Sequence, residues 1–297
     1  MKIILNSNSG CQDAVVIAEC LQLQGHDVLS AGDLLSESTA VDFEADAIIC
    51  FDPSQASYAD CPVVQMMSSS DEPVLRNSSL LVYSSRYMVP RGLRNRAVVI
   101  PFPVNVDLFR YRSPAPLRDK IIFASGSLQP AQGHRVLVQA MTLVNKDHRA
   151  VIAGSEDFYT VQQMRDHAET LGIAHRIDFP GDNEDMRSLL HSADMGVITS
   201  LENRSAPRLA SMIMASGVPL LASAADGLRE LLIDGVTGLF HSPGNWKQLA
   251  GQINHLIENR GLSGTLGKNA REHCEKYCST DAVGERWTEA LEQLCFR

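Results

Sequence analysis

The chain lacks any apolar run longer than a strand, any Cys-x-x-Cys pair and any excess of Lys and Arg. A bilayer-spanning helix needs ~20 consecutive apolar residues, so no membrane span is expected. The opening MKIILNSNSG has neither a basic flank nor a long apolar core, and reads as a short strand rather than a leader. The seven cysteines, Cys11, Cys20, Cys50, Cys61, Cys274, Cys278 and Cys295, are odd in number and show no disulfide framework. They read as thiols in a reducing cytoplasm. Cys274 and Cys278 stand one helical turn apart, but no further ligands lie near them to complete a metal site. A formal charge of -9, from 26 Lys and Arg against 35 Asp and Glu, argues against general affinity for nucleic acid. A Gly-x-Ser-x-Gly elbow, a Gly-rich P-loop and a supported Cys-His-Asn set are missing as well. The acidic run Asp182-Asn183-Glu184-Asp185 precedes a helical pattern and is expected to cap that helix, so no metal is implied.

What is present is a repeated grammar. At 297 residues and 44% hydrophobic, the chain is long enough for two ordinary cores. Short aliphatic runs at Lys2–Leu5, Asp27–Ser30, Ala47–Phe51 and Val63–Met66 predict strands, and Asp13–Leu23 has helical spacing that stops at Gly25. His26, just after that stop, is expected to be structural. The pattern restarts with strands at Ile121–Ala124, Ala150–Ala153, Ile177–Phe179, Met195–Thr199 and Pro219–Ala222. Helical segments fall between them near Val136–Leu143, Val161–Leu171, Asp185–Ser192 and Arg208–Ala215. Strands alternating with helices predict an α/β protein with two consecutive doubly wound parallel sheets. Two prolines in Tyr111–Lys120 interrupt both periods, as a linker does. The expected division is residues 1–112, residues 113–279 and an amphipathic terminal helix in 280–297.

Five segments then resemble one family in the right order. VVIPFPVNVDLFRY (Val98–Tyr111) is similar to "vipnGvDlerF", and SGSLQPAQG (Ser125–Gly133) to "vGRLxxxKG". RIDFPGDNEDMRSLLHSADMGVITS (Arg176–Ser200) resembles "v.flG.v..e.l..ly..adv.v.pS", and ASGVPLLASAADGLRELLIDGVTGLF (Ala215–Phe240) resembles "AsGvPVvas..gGi.Eiv.dg.tGll". LQLQGHDV (Leu21–Val28) is similar to the family's first helix end and second strand. The family is the retaining glycosyltransferases of the GT-B fold, group 1 type. The resemblance implies two Rossmann-like domains facing across a cleft, the first on the acceptor side and the second on the nucleotide-sugar side. It also implies a terminal helix crossing back onto the first domain.

Independently of the family, ligands of open parallel sheets sit outside the carboxyl ends of the strands, where glycine turns and helix N-termini approach phosphate. Gly126, Gly133, the turn Leu201–Ser205 and the helix opening near Pro207 lie at such ends. The expected donor-binding residues are Gly126, Ser127, Gln132, Gly133, Gly181, Ser205, Arg208 and Met212, with Glu202 and Arg204 as catalytic residues. Several depart from the resembled pattern. Ser127 and Gln132 stand where the family's Arg and Lys hold the donor diphosphate, and Arg204 and Met212 stand where its two Glu contact sugar and ribose. The compensation expected is that Arg204, with Arg208 nearby, meets the diphosphate while Glu202, Asn203 or the first domain serves the sugar.

Two functions follow. The first is a cytoplasmic, metal-independent transferase moving a sugar from a nucleoside-diphosphate sugar to a saccharide, lipid or protein acceptor with retention, with no permanently bound cofactor. The second is a catalytically inactive GT-B protein acting as a binding or partner subunit. In the first domain, Asn6–Gly10 and Met67–Asp71 are the acceptor candidates. Between Arg86 and Lys120, eight cations stand against two acids, which reads either as a solvated positive face or as a contact with a phosphorylated acceptor or the inner face of a membrane.

Overall fold

Aliphatic runs too short for helices, each closed by a polar or glycine turn, build two all-parallel sheets. The computed structural model describes residues 1–7, 11–31, 43–51, 61–67, 74–75, 77–109, 111, 121–181, 185–202 and 207–296. By internal contacts the chain divides into two units, Met1–Asn105 with Lys276–Arg297, and Val106–Glu275.

The first unit contains β1 (Lys2–Asn6), α1 (Gln12–Leu23), β2 (Asp27–Ala31), β3 (Ala47–Cys50), β4 (Val63–Met67), β5 (Ser78–Tyr83) and β6 (Ala97–Val99). Its strand order is β2-β1-β3-β4-β5-β6, so the direction of winding reverses beside β1. Every residue of β3 and β4 is buried, which is why AIIC and VVQMM show no polar alternation. The polar residue among them, Gln65, is satisfied by accepting the Leu75 amide at 2.8 Å. Gly25, with φ +80°, provides the left-handed stop after α1. His26 then sits with Nε2 at 2.8 Å from Thr288 Oγ1, a structural tie.

The second unit contains β7 (Ile121–Ser125), α2 (His134–Ala140), β8 (Arg149–Ala153), α3 (Val161–Thr170), β9 (Ile177–Gly181), α4 (Met186–Ser192) and β10 (Met195–Ile198). It continues with α5 (Pro207–Ala215), β11 (Leu220–Ser223), α6 (Asp226–Leu231), β12 (Leu239–His241), α7 (Trp246–Glu258) and α8 (Arg260–Tyr277), which ends just past the unit. The strand order β12-β11-β10-β7-β8-β9 reverses between β7 and β10. Its core joins Ile122, Leu137, Ile152, Val197, Leu221 and Ile253 from strands and helices. Side-chain caps start three of these helices: a Thr160–Gln163 capping box at α3, Asp185 at α4 and Asn245 at α7. The expected acidic run therefore supplies its cap through Asp185, and residues 182–184 lie outside the described set.

One helix is shorter than its periodicity predicts. The apolar spacing runs on to Leu143, yet α2 stops at Ala140. The buried guanidinium of Arg176 donates to the carbonyls of Met141 at 2.9 Å, Asn145 at 2.8 Å and His148 at 2.9 Å. These carbonyls lie in the turn that follows the helix, and the guanidinium gathers them into a cup. Arg271 acts similarly on the start of the unit, donating to the carbonyls of Val106 at 2.9 Å, Phe109 and Ala215.

After α8 the chain returns to the first unit as α9 (Thr280–Cys295), capped by Ser279 and packed along α1. Val283, Trp287 and Leu291 are buried with Ile3, Leu5, Ile17 and Leu21. Gly284 allows the close crossing, since a β-carbon there would lie 2.8 Å from the Cys20 carbonyl oxygen.

Candidate functional site

The reversal between β7 and β10 marks where an open sheet leaves a crevice at its carboxyl ends. Two loops leave the sheet there, and they are joined. Thr199 Oγ1 donates to the Gln132 carbonyl at 2.9 Å, and the Leu201 amide donates to the Ala131 carbonyl at 2.8 Å. Thr199 is buried, so its hydroxyl bond is shielded from water and contributes about 1 kcal/mol. Gly133 lies against this seam with φ +68°, and a β-carbon on it would stand 2.1 Å from the Thr199 carbonyl oxygen. Only glycine meets both demands.

Three glycines form a row along the same edge. The Gly126 amide donates to the Ala153 carbonyl at 3.0 Å, and the Gly154 amide donates to the Gly181 carbonyl at 2.9 Å. A β-carbon on Gly154 would meet the Gly126 carbonyl oxygen at 2.0 Å. All three have positive φ, at +133°, +159° and +89° for Gly126, Gly154 and Gly181. The row leaves three adjacent strand ends without side chains. Gly126 and Gly181 were expected here; Gly154 was not, although VIAG closes β8 as IIFASG closes β7.

Two buried histidines hold the walls. His134 places Nε2 at 3.1 Å from the Gly126 carbonyl oxygen, and His241 places Nε2 at 3.3 Å from the Ile198 carbonyl oxygen. Burial pushes the His134 pKa down to about 4 and lowers that of His241, so both rings are neutral near pH 7. A neutral ring carrying its proton on Nε2 donates to the carbonyl, which fixes the tautomer of His134. Neither residue was singled out in the sequence, where a lone histidine beside apolar neighbours carries no pattern.

The loop between Gly126 and Gly133 has no ionisable side chain. Ser127 Oγ accepts from Gln129 Nε2 at 2.6 Å, and the Gln132 carboxamide lies over Gly126, its Cδ 3.4 Å from where a β-carbon would be. The amides of Leu128, Gln129, Gln132 and Gly133 already donate to the carbonyls of Ser155, Ser127, Gln129 and Pro130. The donors that this loop can turn outward are therefore chiefly neutral carboxamides. Beneath the loop lies an apolar cavity of about 100 Å³ lined by Leu128, Pro130, Val136, Tyr159, Met164 and Leu201.

Of the other expected site residues, Glu202 is exposed on the segment after β10. Arg208 is half-buried in the first turn of α5, and Met212 is half-buried one turn later on the same face. Asn203, Arg204 and Ser205 lie outside the described residues, as do Asn8–Gly10 and Ser68–Asp71 of the acceptor candidates. Asn6 is buried at the carboxyl end of β1.

The model of the family described as Glycosyl transferases group 1 matches residues 106–273, more than half of the chain. A D-inositol 3-phosphate glycosyltransferase of Corynebacterium diphtheriae is 29% identical over 191 residues, 60% of this chain and 42% of that protein. A protein of the same name from Xylanimonas cellulosilytica is 26% identical over 245 residues, 73% of this chain and 58% of that protein. The chain thus spans about half the length of these curated relatives. Among solved structures, Anabaena HepE in complex with UDP superposes with a TM-score of 0.82 at 19% identity, over 99% of this chain and 100% of that one. Sucrose-phosphate synthase of Thermosynechococcus elongatus does so with a TM-score of 0.80 at 17% identity, over 99% of each chain. The fold is GT-B, with two Rossmann-like units. With its site elements at β7, β8, β9 and β10 all inside the matched region, the chain belongs to the glycosyl transferases group 1 family.

Proposed function

We propose that the chain transfers a sugar from a nucleoside-diphosphate sugar to a saccharide, lipid or protein acceptor with retention of configuration. The observation that carries this reading is the row Gly126, Gly154 and Gly181 at the carboxyl ends of adjacent strands, beside a seam that fixes the crevice floor. Such a row admits a ligand close to the backbone, as phosphate groups require. HepE was solved with UDP and with UDP-glucose, which supports a nucleotide-sugar donor. In this reading the unit Val106–Glu275 holds the donor and the unit built on β1–β6 holds the acceptor.

Arg204 and Arg208 flank the start of α5, where helix amides and a guanidinium favour the leaving diphosphate. Charge building on that leaving group in the transition state is what they stabilise. Glu202 accepts hydrogen bonds from sugar hydroxyls. The seven cysteines are odd in number and show no paired spacing, and this reading places the chain in a reducing cytoplasm.

The neutral loop favours a second reading, a partner subunit that keeps the fold without turnover. Two cations of the family's loop are replaced by Ser127 and Gln132, and Met212 offers no carboxylate for a ribose. Thermal melting against a panel of nucleoside diphosphates and their sugars separates the readings. A ligand at 100 times its Kd adds ~2.7 kcal/mol, a visible shift. The transferase reading expects a shift with one nucleotide, its loss in Arg204→Ala, and a product whose anomeric configuration matches the donor by NMR. No shift with any nucleotide at millimolar concentration would leave the partner-subunit reading standing.

A further inference from the structure

Residues 73–106 carry five arginines and no Asp, Glu or Lys, in a chain whose formal charge is -9. The structure sorts this segment into two sides. Ser85 accepts the Tyr87 amide at 3.2 Å and starts a 3-10 turn at Arg86–Met88; Pro90 then leads into a 3-10 helix at Arg91–Arg96 that ends on β6. The inner side is apolar: Met88, Val89 and Leu93 pack with Met67, Leu81 and Tyr83. What remains outside is Arg86, Arg91, Arg94 and Arg96, all exposed, with Tyr87 54% exposed among them. Among the described residues, neither Arg91 nor Arg94 pairs with a carboxylate. β6, which follows, is the edge strand of its sheet.

The spacing of these cations identifies their partner. Arg86 follows the carboxyl end of β5, whereas Arg96 donates to the Ser78 carbonyl at the amino end of the same strand. Five residue steps at about 3.3 Å separate those ends by roughly 17 Å. Four guanidiniums strung over that length do not converge on one phosphate; they match an extended array of phosphates. The array is met on one side by an aromatic with a polar tip, the kind of side chain that settles at a lipid headgroup boundary. A nucleic acid duplex is an extended array too, but it has no apolar layer beneath its phosphates to take the exposed ring of Tyr87. We propose that the face Arg86–Arg96 docks the protein on an anionic lipid surface. The proposal does not depend on which donor or acceptor the crevice takes.

Sedimentation of the whole chain with vesicles tests it. Binding is expected to phosphatidylcholine vesicles containing phosphatidylglycerol, to fall steeply with salt, and to be absent with phosphatidylcholine alone. Each arginine removed lowers binding about fivefold, and Arg91→Glu with Arg94→Glu lowers it further through repulsion. The double variant should melt as the parent does, because both side chains are exposed. Equal binding to both vesicle types, no binding to either, or undiminished binding by the double variant overturns the proposal. Two other results also overturn it: tighter binding to duplex DNA than to the vesicles, or a melting shift with inorganic phosphate that the double variant loses, which marks a single-phosphate site instead.

Discussion

Gly133 and Thr199 touch backbone to backbone at the seam of the crevice, leaving 2.1 Å between the Thr199 carbonyl oxygen and any β-carbon placed on Gly133. Gly133→Ala therefore carries two penalties. An L-residue at φ +68° costs about 1–2 kcal/mol, and the seam must also part to relieve the contact. A total loss of about 3 kcal/mol is expected in urea unfolding, within the range of strained special positions. Gly251 supplies the contrast, since it lies in α7 with open space around it. Gly251→Ala should gain up to about 1 kcal/mol. Equal effects of the two substitutions would mean that the seam is not where the strain lies.

Arg176 offers a second test of architecture. Its guanidinium reaches the carbonyls of Met141, Val144, Asn145 and His148 from a buried position. Arg176→Met keeps the bulk and removes every donor, so several buried carbonyls lose their partner at about 1–3 kcal/mol each when unmet. A fall of roughly 3–5 kcal/mol is expected, and Arg176→Lys should recover only part of it because one ammonium cannot serve the whole fork. A melting curve unchanged in Arg176→Met would show that water replaces the guanidinium freely.

These two residues also show where sequence reading reaches and where it stops. The strands that carry the fold are aliphatic runs bounded by polar turns, and Lys2–Leu5, Val63–Met66 and Ile121–Ala124 fall within one residue of β1, β4 and β7. Their boundaries are local, set by burial on both faces. The end of α2 is not local in the same way, because the turn that follows it is tied by Arg176, more than thirty residues on. β5, β6 and β12 had no reading at all: SSLLVY opens on two serines, and AVV and LFH are too short for a period. In the site, Gly126 and Gly181 are legible because a strand ends beside each, and Gly133 because it stands just before a helix. Thr199 and His241 are not, since their bonds go to backbone atoms more than forty residues away, and His134, eight residues from its Gly126 partner, carries no pattern beside its apolar neighbours.

Acid should loosen this site through the buried histidines. His134 is held near a pKa of about 4 by burial, against 6.5 in the unfolded chain. Between those values the unfolded chain binds a proton that the folded one refuses, so stability is present above pH 6.5 and is lost as pH falls toward 4. The full loss from this residue is about 3 kcal/mol, and His241, shifted the same way, adds to it. Urea midpoints measured from pH 7 to pH 4 should fall along that window. His134→Gln keeps an N–H for the Gly126 carbonyl and removes the titration, so its slope should be shallower. An equal slope in the variant would assign the acid sensitivity elsewhere.

The neutral loop yields the prediction that bears most directly on function. If a donor diphosphate lies over Gly126, then Ser127 and Gln132 face it with a hydroxyl and a carboxamide where two cations stand in the resembled pattern. Charge-assisted bonds exceed neutral ones by about 1–1.5 kcal/mol each, so Ser127→Arg with Gln132→Lys should tighten nucleoside diphosphate binding roughly 30- to 150-fold. Calorimetric titration reads this directly, and the gain should shrink with added salt, as it does for partly exposed ion pairs. The matching nucleoside, which lacks phosphate, should gain nothing. A double variant that binds the diphosphate no better than the parent would place the phosphates away from this loop, and would make the loss of the two cations irrelevant to whether the chain turns over a donor.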